Sequence, residues 1–398
     1  MKKTVMQKYA KLIARKGINV KKGQEVIVSA SLDQPEFVKM VVEECYRAGA
    51  SKVTVEWSFQ PITKLHYRYR SLKTLSTFEK WEIEKLEHKC ETLPATIYIE
   101  SDDPDGLKGI DQTKVSKASQ AKYPIIKPYH DKMDNKYQWC IAAVPGEAWA
   151  KKVFPGERTS KAVEKLWNAI LYTSRADGDD PVKAWEEHNA DLKTRFEYLN
   201  SLGIESLHYT ASNGTDFTVG LIPDALFMGG SELTLDGREF NPNIPSEEVF
   251  TSPMKGNAEG IVYATRPLSY RGELIENFSV RFEGGKAVEV HAEKGEDLLK
   301  QMISMDENAA YLGECALVPF DSPIRNSEIT FYNTLFDENA SCHLAIGKGY
   351  PSCVKDYLQL DEKQLFERGV NNSVEHVDFM IGTPDMFVTF LLTVSWAM

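Results

Sequence analysis

The order of apolar and polar positions predicts two regions of different build. In the first, EVIVSAS (residues 25–31) is a β-branched run, PEFVKMVVEECYRAGA (35–50) has helical apolar spacing with a glycine stop, and KVTVEW (52–57) alternates as a strand does. These three pieces read as a βαβ unit. A polar helical stretch follows over 62–89, and ATIYIES (95–101) and QWCIAAVP (138–145) supply two more strands. The expected architecture here is α/β, a mostly parallel or mixed sheet flanked by helices. The N-terminal MKKTVMQKYAKLIARKG reads as an amphipathic helix with Val5, Tyr9, Leu12 and Ile13 on one face, and so as part of the fold rather than a leader.

From 159 to 202 the pattern is helical in two pieces, interrupted by the turn-rich RADGDDP at 175–181. The domain boundary is placed there, giving an N-terminal α/β domain over 1–180 and a second domain over 181–398. Beyond it the pattern turns strand-rich: ESLHYTAS, FTVGLI, SELTLDG, GIVYATRP and the hairpin FSVRFEGGKAVEVHAE, with Gly284 and Gly285 at its turn. One amphipathic helix, GEDLLKQMISM, interrupts the strands, so the second domain is expected to be a strand-rich α+β catalytic domain. The longest apolar run, MFVTFLLTVSWAM at 386–398, is too short to cross a bilayer of roughly 30 Å as a helix and is expected to be a buried strand.

Composition narrows the class. The 398 residues, 42% hydrophobic and 26% charged, suit packed cores in two domains. A formal charge of −11 argues against a nucleic-acid partner, because neutralising phosphates needs a basic surface. No segment calls for a membrane. Cys45, Cys90, Cys140, Cys315, Cys342 and Cys353 are scattered without a CxxC pair, which fits a reducing, cytoplasmic setting and gives no thiolate zinc motif.

The candidate chemistry lies between 241 and 378. Glu248 ends a Pro-Ser-Glu-Glu turn just before the apolar Val249 and Phe250 and is the better ligand candidate of its pair, Glu247 being expected in solvent. Glu314 sits in YLGECALVPF, where a buried carboxylate is costly without a cation or hydrogen-bond donors. His343 falls in ENASCHLAIG, read as a helix entered through Asp337, Glu338 and Asn339. His376 and Asp378 are two residues apart in EHVDFM, and strand alternation puts both on one face. A lone histidine is more often a satisfied core residue than a ligand. Together, however, these oxygen and nitrogen donors suit a hydrolytic site with one or two divalent metals.

The blocks FNPNIPSEEVFT, RPLSYRGELIENF, YLGECALVP, DSPI, FYNTLFDENASCHLAIGKGYP and HVDFMIG resemble the thermophilic aminopeptidase family of metallo-aminopeptidases. The resemblance covers nearly all of the C-terminal half in order. It implies a broad-specificity, homodimeric exopeptidase that acts on peptides with a free N-terminus and carries two divalent ions, drawn from Zn, Co, Mn and Mg. It implies Glu248, Glu314, His343, His376 and Asp378 as metal ligands and Tyr350 as a catalytic hydroxyl. Glu314 is also a catalytic candidate, and either it or Glu338 serves as proton shuttle. After HVDFMIGTPD the chain departs from the family, which continues through a charged, glycine-containing hairpin to a closing tryptophan segment.

Three other readings are weaker. A cysteine peptidase or amidase using Cys342 beside His343, or Cys315, is disfavoured because neighbours on a helix point about 100° apart. A nucleotide-binding first domain lacks GxGxxG after EVIVSAS, where LDQPEF follows instead. A non-catalytic metal or peptide binder is separated from an enzyme by activity on free-amine dipeptides.

Overall fold

The computed structural model describes residues 2–392. The chain forms two compact units: residues 1–189 with 230–246 and 271–273, and residues 190–229 with 247–270 and 274–398. This division is more interleaved than a single cut after residue 180, because 230–246 returns to the first unit, where Asn243 bridges Ile141, and the turn at 271–273 contacts it through Gln112.

In the first unit, β1 (Glu25–Ser31), β2 (Lys52–Ser58), β3 (Ala95–Glu100) and β4 (Trp139–Ala143) form a parallel sheet in the order β2-β1-β3-β4. The helix Pro35–Ala48 links β1 to β2 and buries Phe37, Val38, Met40 and Val41. It ends at Gly49 with φ 110°, the left-handed cap expected of a glycine stop. Tyr9, Leu12 and Ile13 are buried as the N-terminal apolar stripe predicts. The long helix Gln112–Met133 is not announced by the apolar pattern, since Pro124 and Pro128 lie inside it and its sidedness is weak.

The second unit holds two antiparallel sheets. The larger contains β5 (Ile204–Thr210) and β6 (Asp216–Leu221); β7 (Glu232–Leu233) and β8 (Glu239–Phe240) form a separate two-stranded ladder in the first unit, so SELTLDG makes only a two-residue strand. After β9 (Val249–Thr251), the larger sheet resumes with β10 (Pro253–Tyr263), β11 (Leu268–Tyr270), β12 (Glu273–Glu283) and β13 (Lys286–Lys294). β14 (Leu312–Leu317), β15 (His343–Gly347) and β16 (His376–Met380) pair with β9 in the order β16-β15-β14-β9, and β17 (Phe387–Leu392) closes the larger sheet beside β5.

The two sheets share one core. Phe217, Phe278, Val280 and Phe282 of the larger sheet are buried with Cys315, Leu344, Ile346 and Phe379 of the smaller. The Phe278 and Phe379 rings meet at 5.8 Å. Alternation then leaves the opposite face of β14, β15 and β16 for other residues.

The tail differs from expectation. β17 is an edge strand: Val388 and Phe390 pack on the core, while Phe387 and Leu391 are 73% and 60% exposed. A sheet that packs on the core with one face leaves the alternate side chains of its strands in solvent. Residues 393–398 of the apolar run lie outside the described residues.

Candidate metal centre

The smaller sheet sets the candidate residues in register. Glu314 lies opposite Ala345, which lies opposite Asp378, so both carboxylates share one rung. His343 is two residues before Ala345, and His376 two before Asp378. All four side chains therefore leave the face that does not enter the core. Glu248 precedes β9, whose Phe250 is opposite Ala316, and this adds a third carboxylate on the same side.

His343 is a strand residue and not a helical one. The helix ends with Thr334–Asp337, a 3₁₀ turn covers Glu338–Ala340, and β15 begins at His343. The apolar HLAIG run fits either period over so short a length, and pairing on both sides decides for strand. Glu247 is also buried, at 3% exposure, against the expectation of a solvated side chain. Its backbone N–H donates to Asn339 Oδ1 at 2.6 Å, which draws the turn inward.

The distances define two overlapping clusters. His343 Nε2 is 2.9 Å from Glu248 Oε2 and 3.9 Å from Glu314 Oε1. His376 Nε2 is 3.0 Å from Glu314 Oε2 and 3.2 Å from Asp378 Oδ1. Glu248, Glu314 and His343 each offer a donor atom within 4.8 Å of the others, and so do Glu314, His376 and Asp378. Glu314, 3% exposed, belongs to both.

The donor set fits a divalent ion. His376 Nδ1 is 2.6 Å from the Lys348 carbonyl and His343 Nδ1 is 3.3 Å from the Ser341 carbonyl, so each ring spends its Nδ1 proton on the backbone. That leaves Nε2 as a lone-pair donor in both rings. Nε2 of each ring then faces carboxylate oxygen, a contact that needs a positive charge, supplied by a bound cation or, in its absence, by protonation of the ring. Glu248 Oε2 and Asp378 Oδ1 find no hydrogen-bond partner of acceptable geometry despite their burial.

Electrostatics agree. Burial, with Asp378 and Glu248 adding to it, pushes the Glu314 carboxyl up to about 7 although His376 opposes this. Burial alone would lower both imidazoles, but Glu248 and Glu314 hold His343 well above its ordinary value, and Asp378 and Glu314 do the same for His376. Positive charge is favoured at this point. Glu338 is buried beside the cluster and is raised well above the carboxylate range by burial and by Asp378 and Glu248. Tyr350 brings its hydroxyl within 3.2 Å of His376 Nε2, its ring lying 5.0 Å from that of Phe250.

Comparison with known proteins is decisive at this point. A family profile described as thermophilic metalloprotease (M29) matches residues 2–393. The chain belongs to the M29 family of thermophilic metalloproteases. It is 42% identical to aminopeptidase AmpS of Bacillus subtilis over 95% of this chain and 92% of that protein. It is 39% identical to aminopeptidase T of Thermus thermophilus over 96% and 93%. The solved structure of wild-type AmpT from Thermus thermophilus superposes with a TM-score of 0.88 at 38% identity, covering 98% of this chain and 96% of that one.

Within this M29 chain the thiol reading finds no geometry. Cys342 precedes β15 by one residue and turns away from His343, its Sγ 3.7 Å from the Val318 carbonyl, and burial pushes its thiol up. Cys315 faces the core, with its thiol raised well above normal by burial. A thiolate nucleophile is favoured at neither position. No helix among the described residues is long and apolar enough to cross a membrane.

Two residues of the M29 centre escape sequence reasoning. Asn339 is fully buried and links three segments: it accepts from Glu247 N, and its Nδ2 donates to the Leu335 carbonyl at 3.1 Å and to Glu338 Oε1 at 3.3 Å. Gly347 has φ 106° and would place a Cβ 2.0 Å from the Glu375 carbonyl. Only glycine fits the close approach that seats His376 beside the Lys348 carbonyl. The one signal available beforehand was the glycine-rich GKG before Tyr350.

Proposed function

We propose that this metal-dependent aminopeptidase works with two divalent ions, one held by Glu248, Glu314 and His343 and the other by Glu314, His376 and Asp378. Glu314 is the shared ligand. The observation that carries this reading is the pair of imidazoles whose Nδ1 protons are spent on backbone carbonyls and whose Nε2 atoms face carboxylate oxygens. The mixed carboxylate and imidazole shell suits Zn, Co, Mn or Mg. When bound, such ions acidify a water molecule and polarise the scissile carbonyl.

The chain's own groups do the rest. Tyr350 donates its hydroxyl hydrogen to the oxygen that gains charge as the N-terminal peptide bond is attacked. Glu338, buried beside the cluster and outside both ligand sets, is raised by burial and by the neighbouring carboxylates, a charge that bound ions would offset; with the ions in place it takes the proton and returns it to the leaving amine. Glu314 is the less suitable shuttle, because it belongs to both ligand sets and would be held by the ions rather than free to carry a proton. The substrate is a peptide with a free α-amine, whose ammonium form pairs with the surplus of carboxylates. Specificity for the N-terminal side chain is broad. A homodimer would cover the exposed β17 edge, and six unpaired cysteines suit a cytoplasmic setting.

The test is metal-free protein, reloaded with each ion and assayed on a peptide and its N-acetylated form. Turnover is expected only after reloading and only with the free amine. Comparable kcat/KM for the two peptides would indicate an endopeptidase, and full turnover by verified metal-free protein would remove the ions from the reaction.

A further inference from the structure

A cavity of about 470 Å³ opens in the same unit as the metal centre, at the end of the smaller sheet where β15 begins. Its apolar floor includes Val318, Met386 and Val388, and two guanidinium groups, Arg266 and Arg325, reach it. Among the described residues no aspartate or glutamate lines it.

The two arginines differ in kind. Arg266 is already neutralised, donating to Asp337 Oδ1 at 3.2 Å and to the Ile329 carbonyl at 3.0 Å. Arg325 has neither an ion pair nor a side-chain hydrogen bond among the described residues. Its Cζ lies over the Phe320 ring, 3.4 Å from the centroid, a separation at van der Waals contact that a stacked guanidinium reaches and an edge-on one does not. A stacked guanidinium keeps its plane fixed and its N–H edges open, the arrangement that receives a planar carboxylate through two parallel hydrogen bonds. The helix that carries it, Pro323–Asn326, is pinned at its start by Ser322 Oγ, which donates to the Asn339 carbonyl at 2.5 Å.

We propose that this cavity is a binding site for a carboxylate with a short apolar body, held by Arg325 over the Val318, Met386 and Val388 floor. The volume is that of small-ligand sites in general and leaves room for an acylated amino acid or the last residue of a short peptide. The cavity also touches the catalytic machinery through its wall. Ser341 lines it, and the Ser341 carbonyl is the group that orients the His343 ring. The carboxylate has two sources, a free acid of the kind the enzyme releases or the C-terminal end of a peptide.

The test uses the full, metal-loaded chain and calorimetry with N-acetyl-leucine and N-acetyl-leucinamide, neither of which is expected to be cleaved. The acid is expected to bind at least about tenfold more tightly than the amide, and Arg325→Gln to abolish that difference with metal content unchanged. Arg325→Lys keeps the charge without the flat stack and is expected to retain only part of it. Turnover of leucine p-nitroanilide, which has no carboxylate, reports that each variant is folded and is expected to stay unchanged. The KM of a dipeptide against its C-terminal amide separates the sources. A KM rise confined to the free-acid dipeptide in Arg325→Gln assigns the site to peptide ends, and unchanged KM values with lost calorimetric binding assign it to free acids. Equal binding of acid and amide by the unaltered protein overturns the proposal, and so does a preference that survives Arg325→Gln.

Discussion

Replacing Asn339 by alanine separates the frame of the metal centre from its ligands. The side chain is fully buried and makes three hydrogen bonds, to Glu247 N, the Leu335 carbonyl and Glu338 Oε1. Each such bond contributes about 1 kcal/mol net, and stripping the acceptor from a buried N–H adds about 1–3 kcal/mol, so Asn339→Ala is expected to cost about 4–6 kcal/mol. For a unit of this size each kcal/mol lowers Tm by about 2–4 °C, which places the loss at about 8–24 °C. The change also frees Glu248, whose position follows from the Glu247 anchor. Loss of a group that orients a ligand typically weakens metal binding about ten- to a hundredfold. Calorimetric melting of metal-loaded protein and competition titration against a chromophoric chelator read the two effects separately. A lowered Tm with metal affinity unchanged within about twofold would refute the coupling and leave Asn339 a purely structural residue.

Other expectations are simpler. Glu314→Ala, lying in both clusters, is expected to abolish binding of both ions, whereas His343→Ala and Asp378→Ala each remove one ligand from one cluster and lower metal content and rate together; elemental analysis beside kcat measures this. Tyr350→Phe is expected to keep the ions and lower kcat on the order of a hundredfold, and loss of metal instead would make the tyrosine a ligand. Leu391→Lys, on the exposed side of β17, is expected to change stability by less than about 0.5 kcal/mol and to reduce self-association in light scattering. A drop in Tm of several degrees without any change in association would show that Leu391 packs within its own chain.

The local pattern determined a good part of this protein. Alternation in HVDFM places His376 and Asp378 on one face whatever surrounds them, and the apolar setting of Glu314 demands a compensating cation or donors, because both follow from near neighbours in sequence. The β-branched runs and the glycine stop of the first unit are local in the same way, and they appear as the parallel sheet β2-β1-β3-β4 and the Gly49 cap. What the chain could not show locally is the rung that sets Glu314, Ala345 and Asp378 side by side, since that register is chosen by pairing across three strands distant in sequence. The same pairing makes His343 a strand residue where HLAIG fits a helix equally well. Burial of Glu247, Glu338 and Asn339 depends on a turn and a 3₁₀ segment meeting in space, and no periodicity records such a meeting. The tail is the opposite case: its apolar character was plain in the sequence, but only tertiary packing, which sets one face of its sheet against the core, decided that Phe387 and Leu391 stay exposed.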